Sequence, residues 1–91
     1  MTTNDTVYER AVDLLEAELG DELVALDAEA GTCFGFNEVA ASVWRQLAQP
    51  KTAERLKSAL LAEYDIEPEQ CGRELDDLLQ DLQDRGLIKS C

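Results

Sequence analysis

Apolar and polar positions change period at one residue, Asn37, within the stretch GTCFGFNEVAASVW (residues 31–44). Before it, TCFGF alternates with the period of two that marks a strand. Phe34 and Phe36 share one face, and Cys33 and Gly35 share the other. Upstream, ELVALD (residues 22–27) predicts a second strand, and AEAG between the two predicts a turn, with Gly31 free to take positive φ. After Asn37, Val39, Val43 and Leu47 recur at i, i+4 and i+8, widened by Ala40 and Trp44, which predicts an amphipathic helix to about residue 48. Asn37 suits the N-cap, and Glu38 places negative charge in the first turn.

Two further helices follow. Thr52 caps the first, whose inner stripe is Leu56, Ala59, Leu60 and Tyr64. Pro68 opens the second, which carries a stripe of Cys71, Leu75, Leu78, Leu79 and Leu82 and runs to about Arg85. Gly86 is the stop signal, and Leu87 and Ile88 are expected to fold back onto the core. Residues 6–20 are ambiguous: their residue types favour helix, yet Leu15, Ala17 and Leu19 alternate with Glu16 and Glu18 as in a strand. Residues 1–11 are expected to form a flexible N-terminal segment and residues 12–91 a single domain. The order of strands followed by helices makes this an α+β chain of winged helix-turn-helix-like design.

Charge changes the picture of what such a module can bind. The chain carries 20 acids against 8 bases, a formal charge of −12. On the last helix, Glu69, Glu74, Asp76, Asp77, Asp81 and Asp84 would face a nucleic acid groove, so DNA binding is excluded. There is no histidine, which removes the commonest general base and metal ligand. The three cysteines are far apart and form no C-x-x-C pair, so neither a metal nor a disulfide framework is expected. Cys33 and Cys71 are expected to be small buried hydrophobes. No phosphate loop or nucleophile elbow is present, and the sequence predicts no enzyme activity and no cofactor. The absence of a long apolar run and of a signal-peptide pattern predicts a cytoplasmic protein.

The segment DELVALDAEAGTCFGFNEVAASVWRQL resembles the core of the PqqD-like family, the precursor peptide recognition elements of ribosomally made, modified peptides. The D-x-E-x-G turn at residues 27–31, N-E-V-A-A-x-V-W at 37–44 and L-x-x-L-x-x-R-G-L-I at 79–88 carry the likeness over about residues 12–88. Phe36 and Ala41 depart from the family's usual leucine and glycine. The resemblance implies a three-stranded antiparallel sheet followed by three helices, with residues 13–19 as its first strand. It implies a stand-alone protein that binds a precursor's leader segment as an added strand between the third strand and the third helix. It further implies delivery to modifying enzymes: a lasso-peptide leader peptidase and cyclase, or a radical SAM enzyme.

The residues suit such a role. A last strand has an unpaired edge, and a peptide can complete it by β-augmentation. The expected peptide-binding residues are Thr32, Cys33, Phe34, Gly35 and Phe36 on that strand. On the third helix Cys71, Leu75 and Leu78 are expected as the groove floor, with Arg73 and Asp77 at the rim. Gly35 reads either as room for an incoming backbone or as a bulge. Trp44 is expected to be structural. The other reading of the chain is an acidic winged-helix regulator that binds another protein.

Overall fold

The computed structural model describes residues 6–90. Its elements are β1 (Val7–Arg10), β2 (Leu15–Leu19), β3 (Glu22–Asp27), β4 (Thr32–Phe36), α1 (Glu38–Gln46), β5 (Lys51–Thr52), α2 (Ala53–Glu63), α3 (Pro68–Asp84) and β6 (Ile88–Ser90). The predicted three-stranded antiparallel sheet is the meander β2–β3–β4, and three helices follow it. The register is unbroken from Leu23↔Phe36 to Asp27↔Thr32, so Gly35 sits in a regular strand and not in a bulge. The β3–β4 turn is built as its residues suggest. The Asp27 carboxylate accepts from the N–H groups of Glu29 and Ala30, both at 3.1 Å, and Gly31 takes φ +70°.

The helix ends follow their capping chemistry. The Asn37 side chain accepts from the Ala40 N–H at 2.9 Å, and the Thr52 hydroxyl accepts from the Arg55 N–H at 3.2 Å. Pro68 starts α3. At its far end the N–H of Leu87 reaches the carbonyl of Leu82 and that of Gly86 the carbonyl of Gln83, with Gly86 at φ +76°. This Schellman arrangement turns the chain sharply back.

Two features differ from the sequence expectations. Leu87 and Ile88 fold back into the core as expected, but Ile88–Ser90 also form β6, which pairs with β1 in a second antiparallel sheet of order β5–β1–β6. Residues 7–10, expected within a flexible segment, are therefore the central strand of that sheet. The reason is long-range: their partners lie 43–45 and 78–82 positions further along, at Lys51–Thr52 and Ile88–Ser90, and local pattern cannot reveal them. Residues 1–5 and Cys91 lie outside the described residues.

The core joins the inner face of β3 and β4 to the helices through Leu23, Ala25, Phe36, Val43, Trp44, Leu56, Leu60, Leu75 and Leu79, all buried. Trp44 is fully enclosed. Its ring stacks against Phe36 at 5.6 Å between centroids, and its indole N–H donates to Glu16 at 2.8 Å. Phe36 thus anchors the end of β4 to α1. Among the described residues, no helix is long and apolar enough to cross a membrane.

Candidate functional site

β4 pairs with β3 along one side, and among the described residues no strand pairs with its other side. In an antiparallel strand, every second residue directs both its N–H and C=O away from a given neighbour. The outer edge of β4 therefore offers a row of backbone donors and acceptors. Facing this edge is α3, and a cleft runs between them. Phe34, Gly35 and Phe36 form its strand wall, continued by Asn37 and Ala40 at the start of α1. Leu78, Asp81, Leu82 and Arg85 form its helix wall. A shallower extension passes Val39 on one side and Glu74, Asp77 and Leu78 on the other.

The floor is apolar and the rim charged. Phe34 and Leu78 are partly exposed apolar side chains packed against the core. Arg85 donates to Asp81 at 3.1 Å across one helical turn. With Glu74 and Asp77, the rim holds three carboxylates against one guanidinium, so the cleft favours a neutral or basic occupant. An added Cβ at Gly35 meets nothing within 4 Å, so this position leaves open space beside the strand. Among the described residues no group of three or more cysteine or carboxylate side chains could hold a metal ion.

The expected site residues divide. Phe34, Gly35, Phe36 and Leu78 meet at the cleft, and Asp77 stands on its extension. Thr32 and Cys33 continue the same strand and are exposed. Cys33 is thus not the buried hydrophobe the sequence suggests, because its side chain points to the sheet face opposite the core. Cys71 and Leu75 lie in the core and line neither part of the cleft, so they do not floor the groove. Arg73 is exposed but lines neither part of the cleft. The α3 stripe is wide enough to hold two faces, and only its Leu78 side turns towards β4. Asp81, Leu82 and Arg85 follow Leu78 at i+3, i+4 and i+7, and that spacing could have identified them as its neighbours.

Comparison with known proteins agrees with this fold. Residues 22–88 match the family described as Coenzyme PQQ synthesis protein D (PqqD). No curated protein matches the chain by sequence. Among solved structures, one described as TbiB1 in complex with the TbiA(beta) leader peptide superposes with a TM-score of 0.77. It is 30% identical, and the match covers 89% of this chain and 94% of that one. The family match spans β3, β4, all three helices and the first residue of β6, more than half of the chain, and on that basis the chain belongs to the PqqD family.

Proposed function

We propose that this protein binds the leader segment of a ribosomally made precursor peptide and presents it to modifying enzymes. The leader adds as a strand along the outer edge of β4, in the cleft against α3. The observation that carries this reading is the unpaired edge of β4 opposite an apolar-floored cleft. The 30% identical TbiB1, solved with a leader peptide, supports it. Backbone bonds to the edge supply affinity, and the partly exposed Phe34 and Leu78 supply a seat for one apolar side chain of the leader. The acidic rim selects against an acidic segment at that point. The protein acts as a carrier and not as a catalyst. Its enzyme partners are a leader peptidase, a cyclase or a radical SAM enzyme.

Titration of isotope-labelled protein with the synthetic leader encoded beside its gene tests this. Saturable shifts of the Thr32–Phe36 amide resonances are expected. Absence of binding, or binding that leaves those amides unmoved, overturns the reading and returns the chain to a general protein-binding regulator.

A further inference from the structure

We infer that the outer face of the β2–β3–β4 sheet is the docking surface for the maturation enzyme, which meets it with an apolar patch ringed by lysine and arginine. This rests on the leader-carrier reading above and names the surface used by its second partner. The register carries the first step. Leu15, Leu26 and Cys33 form one row across the three strands, and Ala17, Val24 and Gly35 form another. These rows point away from the core, because the alternate rows hold the buried Leu23, Ala25 and Phe36. Glu16 and Glu18 share that inner side, where Glu16 accepts the Trp44 indole N–H. The apolar row of β2 is thereby turned to solvent, leaving Leu15 64% and Leu19 60% exposed. They are the large hydrophobic residues most exposed among those described, and both lie on one face. Such a patch marks an interaction site.

Charge decides between occupants. Glu22 stands opposite Leu19 on this face and Asp13 and Glu29 at its end, whereas Glu16 and Glu18 lie on the inner side and pair with Arg10 and Arg45. Residues 11–44 contain no lysine or arginine. A second copy docked face to face would bring the carboxylates of Asp13, Glu22 and Glu29 together with no cation from residues 11–44 to offset them, which disfavours a homodimer through this face. A partner with basic side chains around an apolar centre gains on both counts. One end of the face is shaped for such a side chain. Val12, Leu14, Leu15 and Leu26 line a cleft whose mouth carries Asp13 and Glu29. An arginine or lysine fits it with its stem on the leucines and its charge at the carboxylates.

Continuity gives the face its purpose. Cys33 and Gly35 belong both to this face and to the edge strand that receives the leader. A strand added beside β4 extends the same face by one strand, since alternate side chains of neighbouring strands share a side. The enzyme then touches carrier and leader together, and each ligand raises the affinity for the other by the same factor.

The test is calorimetry with Leu15→Ser/Leu19→Ser and, separately, Asp13→Lys/Glu29→Lys. Each is titrated with the synthetic leader and with each purified maturation enzyme encoded beside the gene. Leader affinity is expected to stay within about twofold, because these sites lie away from the cleft. Enzyme affinity is expected to fall by about tenfold or more in both variants. In the wild type, leader should tighten enzyme binding. The inference is overturned if no enzyme binds the wild type, or if the variants bind as the wild type does. A wild-type dimer in sedimentation that the serine variant disperses also overturns it, since a second copy then covers the face. Failure of the leader arm alone counts against the carrier reading and leaves the enzyme arm to decide this one.

Discussion

Arg10 holds Trp44 from two directions. Its guanidinium carbon lies 4.3 Å from the centre of the Trp44 ring, and its Nη2 donates to the Trp44 carbonyl at 2.6 Å. The two residues belong to different layers: Arg10 ends β1 in the small sheet, and Trp44 lies in α1 beneath the meander. Glu16 completes the group, accepting from the Trp44 indole and standing 3.5 Å from Arg10. Through this contact the terminal sheet braces the helix that anchors Phe36 and hence β4.

Removing the brace should cost stability without removing cleft residues. Arg10→Ala should lower the unfolding free energy by about 1.5–3 kcal/mol, the range for a hydrogen bond to a charged group. Glu16→Ala should cost about 1–3 kcal/mol, because it strands a buried indole N–H. Urea denaturation followed by Trp44 fluorescence measures both. Wild-type stability in either variant would show that the contact adds nothing.

The two sides of α3 should respond differently. Leu78→Asp puts a charge into the cleft at a partly exposed position, so leader binding should fall by more than about tenfold while the fold survives. Leu75→Ala removes buried volume and should cost about 2–5 kcal/mol in stability. Leader affinity measured on the fraction still folded should remain near wild type for Leu75→Ala. Calorimetric titration paired with thermal unfolding separates the two effects.

Arg85 tests the rim. Its pair with Asp81 is half-exposed, so breaking it should change stability by less than about 1 kcal/mol. Arg85→Glu leaves the cleft with carboxylates alone and should favour a leader carrying added lysine over the native one. Equal affinities of the variant for both leaders would exclude the rim from selection.

Tyr64 should titrate late. Its hydroxyl donates to the Glu38 carbonyl at 3.4 Å. Its pKa is raised above the ordinary 10.0, first by burial and then by the nearby charges of Glu63, Glu38 and Asp21. The folded state therefore holds this proton more tightly than the unfolded chain does. The stability it contributes is complete below 10.0 and is lost as pH rises from there through the folded value. Tyrosinate absorbance in an alkaline titration should lose its late-titrating component in Tyr64→Phe. An unchanged curve would exclude Tyr64 as its source.

Local chemistry made much of the fold legible. Asn37, Thr52, Pro68 and Gly86 each end or start a helix by bonds within a few residues of themselves, so their effects can be read along the chain. The hairpin was equally visible, because the Asp27 turn and the Phe34/Phe36 alternation are local. The ambiguous segment resolved into a strand, against its propensity, because pairing Leu15–Leu19 with β3 supplies partners that an isolated helix there would lack. The cleft was half legible: its strand wall follows from alternation, but the width of the α3 stripe hides which leucines face β4.

The β3–β4 hairpin followed by three helices, the caps, the acidity and the family pattern were all present in the amino-acid sequence, since each depends on neighbours or on totals. Only tertiary structure decided three things. It assembled β5–β1–β6 from segments far apart in the chain. It placed Cys71 and Leu75 inside and Leu78 at the cleft. It turned Leu15 and Leu19 outward while Glu16 faced Trp44. The physical reason is common to all three. A period of two or 3.6 states which residues share a face, but packing against distant partners determines which face is buried.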